Sequence, residues 1–375
     1  MKIAITGGAG FIGSHLATAY LDAGHDVIII DNLVYGQQQE HAIDQRARFY
    51  HVDIRDRRLH AIFQHERPDI VSHHVAYSQE RDTYAPSQEQ TLAQADLHVR
   101  GLLHVLDACV NAAVKKIIFA SGGNDLYANT NERPTHVIHE DDPLYPRNAQ
   151  DVGKLSGEWY VRYYTQQYHL EHTILRYADV YGEDSLYEQR PAHPLTTMID
   201  ALQQQQRPVI RGEINTLRDH IFIDDISSAN LALLKRGHNQ TLNICTGLGC
   251  SLTQLYQMVA HIMESHLTPL YVHTIHPTTH TQSETQSPLA QWNDDIGAEA
   301  PVHVLDNSRA RQLLHWRNAT TLAAGINLAI QRLNTQPEHI LIERDIERDT
   351  DKVQIVIGAA RPAQTTTHTA HLAHA

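Results

Sequence analysis

A glycine-rich turn near the N-terminus constrains the fold of this chain more than any other feature. The apolar run Ile3-Ala4-Ile5-Thr6 is followed by Gly7, Gly10 and Gly13, spaced three residues apart. Glycine at these positions permits a tight turn, close helix–strand contact, and close approach of a pyrophosphate to backbone N–H groups. The sequence therefore predicts a strand–turn–helix unit that binds a dinucleotide, the alternative being a glycine turn without a ligand.

An acidic residue at the end of the next predicted strand indicates which dinucleotide is bound. Asp31 follows the apolar run Asp26–Ile30 and lies 18 residues after Gly13. A carboxylate at this position accepts hydrogen bonds from an adenosine ribose and repels a 2′-phosphate. We therefore expect NAD rather than NADP as the cofactor.

Short β-branched runs alternate with helical patterns over the first half of the chain. Runs that are apolar on both faces are typical of parallel strands covered by helices on both sides. The alternation predicts an α/β fold, a Rossmann-type doubly wound parallel sheet with a smaller C-terminal substrate-binding lobe. The predicted strands are Lys2–Thr6, Asp26–Ile30, Arg48–Val52, Asp69–His73, Lys116–Ser121, Thr173–Tyr177, Asp219–Ile223 and Thr241–Ile244. The predicted helices are Ser14–Ala23, Ala93–Ala112, Val152–Gln167, Leu195–Gln206 and Ser227–Leu234.

Changes in composition along the chain suggest three regions. We expect a NAD-binding domain over about residues 1–180, a substrate-binding lobe over 181–334 with some interleaving, and a partly disordered C-terminal extension over 335–375. The polar stretch Thr274–Glu299 is predicted to be a loop. In the extension, Ile340–Glu343 and Val353–Ile357 are predicted to pair as a hairpin.

Charge and composition exclude several classes of protein. The formal net charge of −13 argues against a nucleic-acid partner, because a protein that binds nucleic acid requires a basic face. No apolar run approaches 18 residues, so no membrane partner is predicted, and we expect a cytoplasmic protein. The three cysteines are too few for a disulfide framework. Among the 28 histidines, the clusters at positions 273–280 and 368–374 lack acidic ligands, so no metal site is predicted.

Further motifs, in their order along the chain, resemble one known family. They are Asp31-Asn32-Leu33, Val52-Asp53-Ile54-Arg55-Asp56, His74-Val75-Ala76, Leu175-Arg176-Tyr177, Val180-Tyr181-Gly182, Arg218-Asp219-His220, and Asn243-Ile244-Cys245-Thr246-Gly247. With the glycine turn, these segments resemble the extended short-chain dehydrogenases/reductases, specifically the NAD-dependent nucleotide-sugar epimerases and dehydratases. The resemblance covers roughly residues 1–333.

The resemblance implies roles for individual residues. It places Phe11 and Ile12 at the cofactor pyrophosphate, Asp31 and Asn32 at the adenosine ribose, Asp53 and Ile54 near adenine, and Val75 and Ala76 near the middle of the cofactor. It also places Arg218 at the substrate diphosphate, where a guanidinium matches phosphate oxygens. Asp179 stands beside the expected nucleotide sugar, where the family usually has Asn.

The expected catalytic residues are only partly present. Family members use a tyrosinate base one helical turn before a lysine that holds the nicotinamide ribose. Lys154 matches that lysine, but Gln150 occupies the tyrosine position, and glutamine cannot act as a general base. Glycines, Gly122 and Gly123, stand where the family has its catalytic Ser or Thr, which leaves Ser121 as a candidate donor. The candidates for a substitute base are Asp151, His98, Asp125 and Tyr127.

These departures leave two main hypotheses for function. The first is a NAD-dependent epimerase or dehydratase that acts on a UDP-sugar or another nucleotide sugar by transient hydride transfer. The second is a catalytically degenerate subunit that binds NAD(H) or a nucleotide sugar and has a sensing or scaffolding role. A structural protein without a ligand is a third reading. By resemblance we also expect a homodimer formed by two helices from each subunit, Ala93–Ala112 and Val152–Gln167. The aromatic residues Trp159, Tyr160, Tyr163 and Tyr164 are the candidates for the interface.

Overall fold

An eight-stranded sheet forms the centre of the protein. The computed structural model describes residues 1–34, 43–76, 88–123, 126–127, 137–183, 193–212, 214–272, 302–335 and 355–356. The strand order is β10-β6-β5-β4-β1-β2-β3-β14, with every pair parallel except β14 with β3. Its strands are β1 (Lys2–Thr6), β2 (Asp26–Asp31), β3 (Arg48–His51), β4 (Ile70–His73), β5 (Lys116–Ala120), β6 (Glu171–Tyr177), β10 (Gln240–Ile244) and β14 (Ile355–Val356).

Helices cover both faces of this sheet, as the sequence predicts. One face carries Ile3 and Ile5 of β1 and packs against α1 and α7, and the other carries Ala4 of β1 and packs against α2, α4 and α5. The helices are α1 (Phe11–Asp22), α2 (Arg58–Glu66), α3 (Gln88–Ala95), α4 (Leu102–Asn111), α5 (Ala149–Tyr168), α6 (Pro194–Gln203), α7 (Ile223–Leu233), α8 (Leu252–Ile262), α9 (Ser308–Leu314) and α10 (Leu322–Thr335). The Rossmann-type fold class is confirmed.

The order of the strands reverses between β1 and β4. Sheets of this type bind ligands in the crevice that opens beyond the carboxyl ends of the strands at such a switch point. The glycine turn follows β1, and His74, Val75 and Ala76 follow β4. The topology therefore brings both segments to one side of the same crevice.

Smaller sheets form the second lobe. The strand β9 (Leu217–Phe222) is central and pairs with β7 (Asp179–Tyr181), β11 (Gly249–Cys250) and β13 (Val302–His303), while β8 (Val209–Arg211) pairs with β12 (Leu270–Val272). The chain crosses between the lobes more than once, because β10 returns from this region to pair with β6. The domain boundaries therefore stay a prediction.

One predicted helix differs from the structure. The helix predicted over Ala93–Ala112 is three segments, α3, a π-helical turn over Asp96–Gly101, and α4. Gly101 lies against the next layer there, since a Cβ on it would be 2.6 Å from Ile54 Cδ1.

In the C-terminal extension, Ile355 and Val356 pair with β3. The hairpin stays a prediction, because Ile340–Glu343 lies outside the described residues, as does Thr274–Glu299.

In the part of the chain that the structure describes, no helix combines the length and the apolar character needed to cross a membrane. The cytoplasmic location stays a prediction. The cysteines Cys109, Cys245 and Cys250 are buried and unbridged.

Candidate functional site

The glycine turn is built so that neither Gly7 nor Gly13 tolerates a side chain. Gly7 has φ +75°, and a Cβ on it would be 2.8 Å from the backbone N of Val75. A Cβ on Gly13 would be 2.2 Å from the carbonyl oxygen of Gly7. Helix α1 begins directly after Gly10, which caps it without a side chain. The first N–H groups of a helix have no carbonyl partner within it, so this turn can receive an anionic pyrophosphate.

An open cleft adjoins the glycine turn. Its lining includes these residues predicted for the cofactor: Gly7, Gly10, Asp31, Asn32, Ile54, Val75 and Ala76. Phe11, Ile12 and Gly13 belong to the first turn of α1 beside it. Residues of the lining that the prediction did not include are Ile30, Val52, His74 and Leu97. Three of these could have been found, since Ile30, Val52 and His74 lie at strand ends or within the matching motifs.

The carboxylate of Asp31 fixes the shape of this cleft. Its oxygens accept hydrogen bonds from the backbone N of Ala9, at 3.1 Å, and of Leu33, at 2.9 Å. Asp31 therefore ties the end of β2 to the glycine turn and presents a negative charge where a ribose would lie. NAD fits this arrangement, which consists of a helix N-terminus without a side-chain cap, the glycine turn and the carboxylate of Asp31.

Asp53 is a neighbour of the cleft rather than part of its lining. Asn32 donates to Asp53 at 2.8 Å, and Arg55 donates through its backbone N, Nε and Nη2. Burial opposes ionisation of Asp53, but the hydrogen bonds from Arg55 and Asn32 outweigh it and lower its pKa to about 2. Asp53 is thus an ionised anchor that positions Asn32 at the cleft wall.

Lys154 joins the ends of two central strands. Its Nζ donates to the carbonyl oxygen of Val75, just after β4, at 2.9 Å, and to that of Ala120, the last residue of β5, at 2.8 Å. Lys154 is buried, and burial lowers its pKa to about 7. A buried lysine near neutrality is a feature of functional sites more often than of structural ones. Lys154 thus contacts Val75, which lines the cofactor cleft, and its role at the cofactor stays a prediction.

Gln150 lies one turn before Lys154 in the first turn of α5. Asn148 caps this helix by accepting a hydrogen bond from the backbone N of Asp151, at 2.9 Å. Residues four apart lie on the same face of a helix, so Gln150 and Lys154 share a face. The structure therefore places an amide that cannot ionise at the helical position predicted for the base.

The candidate donor Ser121 has a side-chain partner in the structure, and its role as a donor to the substrate stays a prediction. Its hydroxyl donates to Glu158 Oε1 at 2.6 Å, because the buried Glu158 carboxylate collects donors from several residues. A serine or threonine could not be placed at position 123 instead, since a Cβ on Gly123 would be 2.0 Å from the carbonyl oxygen of Tyr177. The backbone at the end of β5 is thus built for glycine at this position.

Among the candidate substitute bases, Tyr127 and Asp151 have structural partners. The Tyr127 hydroxyl donates to Asn243 at 2.6 Å and accepts from Arg176 at 2.9 Å, and burial raises its pKa far above the usual range. Asp151 accepts from the backbone N of Arg147 at the start of α5. Asp125 lies outside the described residues. Burial and these two hydrogen bonds oppose a role for Tyr127 as a base near neutral pH.

His98, the remaining candidate base, packs directly on α5, the helix that carries Lys154. A Cβ on Gly153 would be 2.7 Å from the Cβ of His98, so the imidazole occupies the space of a side chain at 153. Its Nε2 is buried and has no hydrogen-bond partner among the described residues. Burial, followed by the charge of Lys154, lowers the pKa of His98 to about 3. His98 is therefore neutral near pH 7 and lies close to Lys154.

The two residues predicted for the substrate contact each other. Arg218 donates to Asp179 through Nε, at 2.6 Å, and through Nη2, at 3.0 Å. Burial opposes ionisation of Asp179, but the charge and hydrogen bonds of Arg218 hold its pKa well below the usual range. The sequence placed both residues near the substrate but gave no sign that they form a bidentate ion pair. Their roles in substrate binding stay a prediction.

The model of a family described as NAD dependent epimerase/dehydratase matches residues 3–245. A putative UDP-glucose 4-epimerase of Methanocaldococcus jannaschii is 34% identical over 262 residues, which cover 69% of this chain and 81% of that protein. The UDP-glucose 4-epimerase of Mycolicibacterium smegmatis is 28% identical over 88% of this chain and 98% of its own length. The crystal structure of UDP-glucose 4-epimerase with UDP-glucose from Thermotoga maritima superposes with a TM-score of 0.75 at 27% identity, covering 89% of this chain and 99% of that one.

Proposed function

Because this chain belongs to the NAD-dependent epimerase/dehydratase family and therefore has NAD as its cofactor, we propose that it is an enzyme acting on a nucleotide sugar, with a UDP-sugar as the first candidate. The reaction is a transient oxidation of a sugar carbon followed by reduction. The observation that carries the proposal is that the glycine turn, Asp31 and Lys154 meet at the switch point of one sheet. The names of the relatives support the choice of UDP-sugars.

Each part of the cleft has a definable task. The glycine turn and the first turn of α1 bind the pyrophosphate, and Asp31 accepts hydrogen bonds from the ribose. NAD, when bound, supplies the hydride acceptor. Lys154 lies where the ends of β4 and β5 converge, and its Nζ contacts the backbone of Val75, which lines the cleft.

We propose Lys154 as the group that accepts the hydroxyl proton in place of the absent tyrosine. Gln150 cannot ionise, and Ser121 donates to Glu158. Lys154, with its pKa near 7, exists partly as a neutral amine at physiological pH, and a base matched to the working pH is the most effective one. The proton returns from Lys154 to the sugar oxygen when the carbon is reduced.

The proposal predicts that purified protein retains NAD and interconverts UDP-glucose and UDP-galactose. Bound NAD is measured by absorbance and mass, and conversion by chromatography of the nucleotide sugars. Because the base must be deprotonated, kcat/KM is expected to rise about tenfold per pH unit below pH 7 and to level above it. A rate that is flat from pH 5.5 to 8.5 contradicts Lys154 as the base.

Two variants separate the outcomes of this experiment. Lys154→Arg keeps the positive charge but removes the base, so turnover should fall at least about 100-fold. If Lys154 is already the base, Gln150→Tyr should change the wild-type turnover rate only modestly. Turnover that appears only in Gln150→Tyr would refute the proposed enzyme activity and leave a protein that binds NAD without catalysing this reaction.

We also propose that two copies of the chain associate through α3 and α5. Val152, Trp159 and Tyr163 of α5 recur on one face of the helix and are exposed, with 66% of Trp159 accessible. Leu92 of the neighbouring α3 is exposed as well. Tyr164 does not belong to this face, which corrects its predicted role, because it is buried and donates to Asp107 within its own subunit.

The dimer predicts a simple change in mass. Trp159→Glu introduces a charge into the centre of the apolar face and should shift the protein from dimer to monomer in light scattering at micromolar concentration. Leu313→Glu, on the partly exposed α9, is the control and should leave the mass unchanged. A wild-type protein that is monomeric at these concentrations contradicts the proposal.

A further inference from the structure

The Arg218–Asp179 ion pair lies at the edge of the sheet where a substrate must enter. Asp179 follows β6 after one residue, at the carboxyl end of the parallel strands, where sheets of this type bind their ligands. Tyr177, two residues earlier, stacks on His74 with ring centroids 6.2 Å apart, and His74 lines the cofactor cleft. Asp179 therefore lies two residues along the chain from a side chain that contacts the wall of that cleft.

A second cavity lies in the smaller lobe. Its volume is about 640 Å³, and its lining includes His220, Cys250 and Gln254. Side chains two residues apart on a strand lie on the same face, so His220 and Arg218 of β9 point to the same side. A cavity of this size accommodates a nucleotide, and Arg218 borders it, because Arg218 pairs across the β11–β9 ladder with Cys250, which lines the cavity.

The guanidinium of Arg218 is engaged by Asp179 in the geometry that a phosphate would use. A carboxylate and a phosphate both accept two parallel hydrogen bonds from the fork of an arginine. In this structure Asp179 takes the Nε and Nη2 donors. The carboxylate also neutralises the charge that would attract a diphosphate and adds a like charge next to it.

We propose that Asp179 is a specificity-determining residue that weakens the binding of the nucleotide diphosphate by competing with it for Arg218. This inference rests on the proposed function, since it takes a nucleotide sugar as the ligand. The diphosphate binds by displacing Asp179 from the guanidinium or by sharing Arg218 with it. An uncharged amide at position 179 removes both the competition and the repulsion, so affinity rises.

The test is a double-mutant cycle on the NAD-loaded full chain, with UDP as the probe and calorimetry as the readout. Asp179→Asn should lower the Kd for UDP about tenfold or more in the presence of Arg218. In an Arg218→Met background the same change should alter the Kd less than about threefold, because the contested donor is absent. Asp141→Asn is the control, since this exposed carboxylate pairs with Arg309 on the surface. Thermal melting verifies that each variant is folded.

The outcomes distinguish this inference from the proposed function. An unchanged or weaker affinity in Asp179→Asn overturns the inference, as does an equal gain in both backgrounds, which would mean that Asp179 repels UDP directly. In either case measurable binding of UDP leaves the proposed function standing. Failure of the wild type and of every variant to bind UDP overturns the inference together with the nucleotide-sugar assignment.

Discussion

Replacement of Gly13 by alanine is expected to abolish the retention of NAD and to destabilise the protein. The new Cβ would be 2.2 Å from the carbonyl oxygen of Gly7 and 2.7 Å from Cα of Gly8, both backbone atoms that cannot rotate away. Helix α1 must therefore separate from the glycine turn, which disrupts the pyrophosphate site. We expect a loss of at least about 100-fold in NAD affinity and of about 1–3 kcal/mol in the free energy of unfolding.

The measurement combines the NAD content of the purified variant with titration of NAD into protein stripped of cofactor. Gly24→Ala is the matched control, because it lies at φ +79° with open space around its Cβ position. That control carries the cost of a strained backbone, about 1 kcal/mol, but lies at the far end of α1 from the cleft. Loss of NAD in Gly24→Ala, or its retention in Gly13→Ala, contradicts the role assigned to the turn.

The parts of the site that were predictable from sequence depend on local geometry. The constraint on Gly7, Gly10 and Gly13 belongs to the turn itself, and β1 has the predicted bounds. The strand period and the apolar runs likewise indicate where strands end, which places Asp31 and Val75 at the cleft. These inferences need only neighbours in the chain, so one sequence is sufficient for them.

The parts that were missed depend on partners distant in sequence. Ser121 is 37 residues from Glu158, and Asp179 is 39 residues from Arg218, so neither pairing has a sequence signal. The π-helical turn over Asp96–Gly101 has a similar origin, because it packs against Ile54 on one side and against α5 on the other. Tertiary packing decides such features, and local propensity does not reveal it.

Contact between His98 and Gly153 is another feature without a sequence signal. The imidazole fills the volume that a side chain at 153 would need. His98 therefore depends on glycine at a position far from it in the chain.

Replacement of Arg176 by methionine is expected to cost about 3–5 kcal/mol in the free energy of unfolding near neutral pH. Arg176 is buried and donates to both oxygens of Glu158, at 2.8 and 2.7 Å, and to the carbonyl oxygen of Glu140, at 2.9 Å. Its removal leaves the fully buried Glu158 with only Ser121 and the partly exposed Arg162 as charged or polar donors among the contacts that the structure shows. The cost comes from a buried charge without adequate compensation.

The loss should depend on pH in a defined direction. In the wild type, burial raises the pKa of Glu158, but Arg176, Ser121 and Arg162 together outweigh burial and lower it. The stability that the ionised Glu158 contributes is therefore present at neutral pH and is lost as the pH falls through that depressed pKa. Without Arg176, burial raises the pKa of Glu158 above its value in the unfolded chain. The variant therefore loses stability as the pH rises from the pKa of the unfolded chain through the raised pKa of the folded variant. The difference between the two proteins in urea unfolding should therefore be larger at pH 8 than at pH 5. Adding Glu158→Gln to Arg176→Met removes the buried charge and should recover part of the loss at pH 8, whereas an additive effect of the two changes contradicts the ion pair as its source.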